Sequence, residues 1–475
     1  MKNKFNTELC SNSMTFQDCE LAILRHAVDE SEKQNSSKIA QDENISKMIT
    51  ILENFLKKKK CICYGGTAIN NILPKYAQFY DRDIEIPDYD FYSKNAMADA
   101  KELADIYFKE GFQEVEAKAG VHFGTYKVFV NFIAIADITY LHPTLFEAIE
   151  REAKTVSGIK YSPPNLLRLN MFLELSRPAG DTSRWEKVLK RLTLLNKHYP
   201  LKAHDCKTVD FQRNMDNFKD KSEEIYITLR NAFSDQDAIF LGGYAVRLFS
   251  KYVKNNSSII KKLPDFDVIS EDPENLAIIV LEQLKEIGIN AEAMEHEEIG
   301  ELVPKHIEIR VKNETLAMIY YPIACHSYNS INLSGTSIKV ATIDTMLSFY
   351  LAFYYSDLPY QPKKRLLCMS KYLFDVENKN KLEQKGLLKR FSINCKGLQP
   401  TLESIRSQKV KKFAELKHKR NSKEYDLWFL KYGYNDGKPI HNKKNSTRKS
   451  KKNDTKKIRK SKSKSVFKNL ASFFK

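Results

Sequence analysis

The chain has 475 residues, of which 42% are hydrophobic and 11% aromatic, and a formal charge of +17. That is apolar material for two or three folded domains. No apolar run approaches the roughly 18–20 residues that span a bilayer, so no membrane partner is expected, and the polar N-terminus lacks a charged-then-apolar leader, so no secretory signal is expected. The eight cysteines are scattered, without a CxxC pair or a His-rich cluster. A zinc site is therefore not expected, and reduced, buried cysteines in an intracellular protein fit the pattern.

Residues 1–42 are polar and read as a flexible N-terminal segment. In "ISKMITILENFL" (45–56) the apolar residues recur on one helical stripe. Cys61 to Tyr64 reads as a buried strand, followed by Gly65–Gly66 and the helix "TAINNIL". "DYDFYS" reads as a strand, and "NAMADAKELADIYFKEGF" as a helix ended by Gly111. "YKVFVNFIAIADITYL" (126–141), rich in β-branched and aromatic residues, reads as one extended strand. This order of elements predicts an α/β or α+β layer structure. At the other end, residues 443–475 hold 14 Lys and Arg against one acidic residue, Asp454. A segment so charged and so poor in apolar residues is expected to be a disordered tail. Its lysines and arginines suit a nucleic-acid phosphate backbone, and a solubilising or nuclear-import role has the same composition.

The chain repeats itself. "YGGTAIN" at 64–70 returns as "LGGYAVR" at 241–247, and "PDYDFYS" at 87–93 as "PDFDVIS" at 264–270. Gly65 precedes Asp88 by the 23 residues that separate Gly242 from Asp265. Downstream, "GIKYSPPNLLRLNMFLEL" faces "SIKVATIDTMLSFYLAFYY" with a two-residue slip. Two matches in one register predict tandem copies of one fold. The expected partition is a flexible segment 1–42, a first unit 43–200, a connection 201–236, a second unit 237–435 and a basic tail 436–475.

The spacing also carries chemistry. Side chains alternate along a strand, so Asp88 and Asp90 share a face. Carboxylates that close repel unless a cation lies between them, and Mg²⁺ suits such a pair because it takes oxygen ligands and keeps positions for phosphate. An isolated DxD more often marks a turn, but this one lies in an apolar-aromatic run. Gly65–Gly66, with the Thr67 hydroxyl beside them, is either a plain turn or a phosphate cradle at a helix N-terminus. On "NFIAIADI", Asn131, Ile133, Ile135 and Asp137 are expected on one face. Asp137 is then a charge in an apolar row, which needs a partner or a metal, unless it caps the strand end. In the second copy "ETLAMIYYP" places Met318 or Ile319 there, so the second copy lacks the third carboxylate and reads as degenerate, kept for structure or RNA binding. Neither GxxxxGK[ST] nor GxGxxG occurs, which disfavours a P-loop NTPase or a built-in methyltransferase.

The combination "YGGTAIN…PDYDFYS…ADITYLHP" resembles the polymerase-β-like nucleotidyltransferases, and among them the poly(A) polymerase catalytic subunits of large DNA viruses, the giant-virus and poxvirus types. The resemblance covers residues 45–380. It implies tandem nucleotidyltransferase-like domains, the second degenerate. It implies two Mg²⁺ or Mn²⁺ ions held by Asp88, Asp90 and Asp137, which are the catalytic residues, and nucleotide contacts from Gly65, Gly66 and Thr67. The implied activity is template-free addition of AMP from ATP to an RNA 3′ end, in the cytoplasmic factory of an infected cell, with packaging in the virion as a further site. It implies a homodimer, as for the giant-virus enzymes, or a partner subunit, as for the poxvirus ones. Asn131 departs from the pattern where some relatives have Asp, and the N-terminal region is shorter than the poxvirus one. An oligoadenylate-synthetase-like or tRNA-end enzyme would share the aspartates, and an RNA-binding scaffold would share the tail.

Overall fold

A computed structural model of the chain describes residues 7–440 apart from 12, 41, 81–86, 214–219, 253–264, 334 and 381. The expected basic tail beyond residue 440 lies outside the described residues.

Seven strands and the helices between them form the first unit: α1 (Phe16–Ala40), α2 (Glu43–Lys59), β1 (Ile62–Tyr64), α3 (Gly65–Ile72), β2 (Tyr89–Ser93), α4 (Ala96–Lys109), β3 (Val115–Ala119), β4 (Thr125–Val130), β5 (Ile133–Tyr140), α5 (Pro143–Glu150), β6 (Lys154–Val156), β7 (Ile159–Tyr161), α6 (Pro164–Leu175) and α7 (Trp185–His198). From α2 onward the second unit repeats the order without a counterpart of α5: α8 (Ser222–Asp235), β8 (Ile239–Leu241), α9 (Gly242–Leu248), β9 (Phe266–Ile269), α10 (Pro273–Glu286), β10 (Glu292–His296), β11 (His306–Val311), β12 (Glu314–Tyr320), β13 (His326–Leu333), β14 (Thr336–Ala341) and α11 (Ile343–Ser356). After it come α12 (Lys363–Asn380), β15 (Cys395–Lys396), α13 (Leu402–Leu416), α14 (Lys423–Phe429), β16 (Lys431–Asn435) and β17 (Lys438–Ile440).

The first sheet runs β17-β16-β3-β4-β5-β2-β1-β7-β6 and the second β10-β11-β12-β9-β8-β14-β13-β15. Without the added strands the two orders are the same. Pairing directions match as well: β1–β2 and β8–β9 are antiparallel, β2–β5 and β9–β12 parallel, β1–β7 and β8–β14 parallel. Even the irregularity repeats, because β4–β5 and β11–β12 each carry a bulge after the second residue pair from the hairpin turn. The duplication read from the sequence is therefore a duplication of whole sheets.

Local chemistry explains the framing helices. Asp42 accepts from the Asn44 N–H at the start of α2, whose stripe Ile45, Met48, Leu52, Phe55 and Leu56 is buried, and Lys60 ends it in a left-handed conformation. The helix α11 is buried on nearly every side, because it packs on its counterpart α6 and closes one core running through both units. No helix among the described residues is long and apolar enough to cross a membrane.

Four expectations change. Within the segment expected to be flexible, residues 16–40 form a helix, which fits a stretch free of Gly and Pro. The stretch 201–236 is more than a connection, since its helix α8 precedes β8 as α2 precedes β1 and packs on α10. The chain also returns after the second unit: β16 pairs with β3 from Lys431 to Tyr434, so residues 431–440 cover an edge of the first sheet rather than end the second unit or begin the tail. Such an edge needs covering because its backbone groups would otherwise be unpaired. Finally, six cysteines are paired, Cys10–Cys19, Cys206–Cys368 and Cys325–Cys395, while Cys61 and Cys63 are buried thiols. The two longer-range pairs join residues far apart in sequence, which spacing alone could not reveal.

Candidate active site at the glycine turn

The strand β1 ends at Tyr64, opposite Asp90 of β2. The chain then turns through Gly65 at φ +72° into α3. A Cβ on Gly65 would lie 2.7 Å from the Asp90 carboxylate, so glycine is required both by the backbone angle and by this approach. A Cβ on Gly66 would lie 2.6 Å from the Tyr80 hydroxyl, which accepts from Arg191 at 2.6 Å. Thr67 is buried, and its hydroxyl donates to the Asp88 carbonyl at 2.5 Å. Its hydroxyl thus ties the aspartate strand to the turn instead of facing outward as a nucleotide contact would.

On the other side of β2, Asp90 is in register with Asp137 of the parallel strand β5. Tyr89 and Phe91 are fully buried, while Asp88 and Asp90 retain exposure, as strand alternation demands. The expected long strand 126–141 is a hairpin instead. Asn131 and Phe132 form its turn with φ of 48° and 66°, and the register shifts after Val128 so that Ile135 is the extra residue. The expected row Asn131–Ile133–Ile135–Asp137 therefore does not exist, because a turn and a bulge interrupt the alternation.

The bulge has a chemical result. An unshifted two-residue hairpin would set Lys127 opposite Ala136, but the shift sets it opposite Asp137. Its Nζ lies 2.5 Å from the Asp137 carboxylate. Among the described residues no ion pair reaches Asp88 or Asp90. Burial, and then the Asp137 charge, raises the Asp88 carboxyl above its ordinary range against the pull of Lys127 and Lys187. Burial with Asp88 and Asp137 raises Asp90 to about 7, opposed by Lys127 and Arg184. Arg184, Lys187 and Arg191 lie at helical spacing along the start of α7, a cationic row beside the carboxylates and the glycine turn. Sequence reading missed this row; the 3–4 spacing of basic residues was its only signal.

Among the described residues, no three His, Cys, Asp or Glu side chains converge as a ready-made metal cluster. A Mg²⁺ site needs less, since one or two carboxylates with substrate phosphates suffice, and Asp88 and Asp90, without an ion pair among the described residues, meet that requirement.

The second unit holds the same frame differently. Asp267 is in register with Leu241 and with Met318, so Met318, not Ile319, stands where the first unit has Asp137. Arg213 bonds both Asp265, at 2.7 Å, and Asp267, and Arg365 adds a contact to Asp265 at 3.1 Å. Asp265 is fully buried. Burial works to raise its carboxyl, but Arg213 and Arg365 outweigh that and hold it below the ordinary range. A Cβ on Gly243 would lie 2.5 Å from Asp265, and the Gly242 N–H donates to the Tyr350 hydroxyl. This pocket is filled by the protein's own cations and hydroxyls.

A family model described as poly(A) polymerase catalytic subunit matches residues 50–181, the segment holding Gly65, Gly66, Asp88, Asp90 and Asp137. The resemblance read from the sequence holds over this segment. A putative poly(A) polymerase catalytic subunit of African swine fever virus (isolate Tick/Malawi/Lil 20-1/1983) is 32% identical over 170 residues, 34% of this chain and 35% of that protein. The protein of the same description from Acanthamoeba polyphaga mimivirus is 31% identical over 163 residues, 33% of this chain and 27% of its own. The match thus spans between about a quarter and a third of the length of these curated relatives. The crystal structure of the Megavirus polyadenylate synthase aligns with a TM-score of 0.73, covering 87% of this chain and 86% of that one at 20% identity. It shares the two-sheet fold well beyond the matched segment.

Proposed function

We propose that the chain is a template-independent poly(A) polymerase that transfers AMP from ATP to the 3′ end of RNA. The observation that carries the reading is the register Tyr64–Asp90–Asp137, which brings a glycine turn and two carboxylates to one end of three adjacent strands, with Asp88 beside them. The family resemblance of residues 50–181 supplies the nucleotide and the acceptor.

In this reading Asp88 and Asp90 would hold Mg²⁺ or Mn²⁺ beside the triphosphate, with Asp137, which is paired with Lys127, as the third carboxylate ligand. Bound divalent ions would lower the pKa of the attacking 3′-hydroxyl and offset charge on the departing pyrophosphate. Gly65 and Gly66 bring the backbone of the α3 N-terminus close to phosphate. Arg184, Lys187 and Arg191 provide cations for the remaining triphosphate charge. Thr67 positions Asp88. Burial and the neighbouring Asp88 and Asp137 raise Asp90 to about 7, and a bound cation would favour its ionised form.

The test is incubation of the purified chain with a short RNA and each of the four NTPs, with Mg²⁺ or Mn²⁺. Extension with ATP alone is the expected result. Products made from nucleotide without primer would point to an oligoadenylate-synthetase-like enzyme, and no extension with any NTP would sink the reading.

A further inference from the structure

Beyond the far end of α3 lies an open cavity of about 460 Å³ whose wall includes Lys154, Asn165, Arg168, His198 and Lys202, with Glu152 at one side. It is separate from the carboxylates: the eight residues of α3 span about 12 Å at helical rise. Tyr199, next to His198, donates to the Ile72 carbonyl at the end of that helix.

Three observations give the cavity a chemical character. Arg168 is only 1% exposed, yet its partners are neutral: Nε donates to Asn196 at 2.7 Å and Nη1 to Asn165 at 2.6 Å. Its Nη2 is buried without a hydrogen-bond partner. A guanidinium kept from water without an anion is costly, and burial lowers its pKa to about 10. The second observation is the start of α6, where Pro163 and Pro164 open the helix and no side chain caps it. The two prolines carry no N–H and the Leu166 N–H donates to the Pro163 carbonyl, so the helix end meets the cavity through its dipole and the Asn165 N–H. The third is the fate of the acidic wall residue: Glu152 already accepts from the Tyr354 hydroxyl at 2.6 Å and from Tyr355 at 3.3 Å. Lys154 and Lys202 remain as exposed cations at the mouth.

We propose that this cavity binds a phosphate group carried on a nucleotide, with Arg168 and the α6 N-terminus at its floor and Lys154 and Lys202 at its rim. A bare phosphate would leave most of the volume empty, whereas nucleotide-sized ligands occupy cavities of roughly 300–1,000 Å³. The assignment does not rest on the polymerase reading. The phosphate belongs either to a free nucleotide or to the backbone of an RNA strand.

The test is titration of the full chain with AMP and with inorganic phosphate in buffer free of divalent metal, followed by calorimetry. Three variants are compared: Lys154→Glu with Lys202→Glu, Arg168→Gln, and Asp88→Asn with Asp90→Asn. The rim variant should bind AMP about tenfold or more weakly, the scale of losing a charge-assisted hydrogen bond. Arg168→Gln should do the same, and the aspartate variant should bind as the parent does. Should Arg168→Gln fail to fold, the exposed rim lysines still decide. AMP binding that ignores the rim variant, vanishes in the aspartate variant or is absent from the parent would overturn the proposal. A short oligoribonucleotide that competes with AMP would assign the phosphate to an RNA backbone, and one that does not would assign it to a free nucleotide.

Discussion

The two units solve one electrostatic problem in opposite ways. Each brings a DxD strand against a glycine turn, and each must accommodate carboxylates at a crowded sheet end. The second unit does so internally, with Arg213 bridging both aspartates and Arg365 adding to one. The first places one cation, Lys127, on the third carboxylate and leaves the DxD pair itself without an ion pair among the described residues. In the proposed reading the first unit's charge would be answered by a metal and its phosphates, whereas in the second it is answered by arginine. The same fold pairs its DxD carboxylates with arginines in one copy and, among the described residues, leaves them without an ion pair in the other.

The comparison breaks most readily at catalysis. Asp88→Asn or Asp90→Asn should lower AMP incorporation by about 10³-fold, and Asp137→Asn by about 10²-fold or more, because metal activation of a nucleophile is worth several kcal/mol. Single-turnover primer extension beside an unfolding curve checks this. Near-normal extension in a folded Asp90→Asn variant would remove the first unit from the chemistry.

Stability should respond in the opposite sense. Asp265→Asn or Asp267→Asn leaves buried arginine charge short of a partner and should destabilise the protein by about 3–5 kcal/mol. Asp90→Asn should instead stabilise it at neutral pH. Urea unfolding of both variants measures the contrast. Equal losses would show that the two carboxylate pairs are structurally equivalent after all.

The pH dependence sharpens the point. With Asp90 raised to about 7 from an ordinary 3.8, the folded state keeps a proton that the unfolded chain releases between those values. Its contribution to stability therefore falls as pH rises from about 4 to about 7 and stays unfavourable above. Asp265 is held low, so its contribution is present above the ordinary carboxylate range and is lost only as pH falls below it. Unfolding midpoints of the parent and of Asp90→Asn should diverge toward pH 8 and converge toward pH 4. A constant difference would mean that Asp90 ionises normally in the folded chain.

The smallest effect is expected at Lys127. Its partly exposed ion pair contributes little to stability, but its charge also opposes the upward shifts of Asp88 and Asp90. Lys127→Met should move the acid limb of the rate profile to higher pH and cost no more than about fivefold at neutrality. An unmoved acid limb would separate Lys127 from the carboxylates.

Much of this was legible in the chain itself. The repeat and the missing third aspartate of the second copy show in motifs that recur in one register 177 residues apart, and the α2 stripe, the buried strand before Gly65–Gly66 and the alternation of Asp88 with Tyr89 follow from spacing within a few dozen residues. Local spacing fixes which side of an element a residue occupies, through the periods of helix and strand. What spacing could not supply were partners from distant segments. Arg365 meets Asp265 across 100 residues, Arg191 meets Tyr80 across 111, and β16 returns over 300 residues to cover β3. Nor could alternation foresee the bulge that moves Lys127 from Ala136 to Asp137. Sequence by itself determined that two copies of one carboxylate-bearing fold exist. Only the tertiary structure decided which copy takes its cations from the protein, because a buried charge is answered by whatever the packing of the whole chain brings to it.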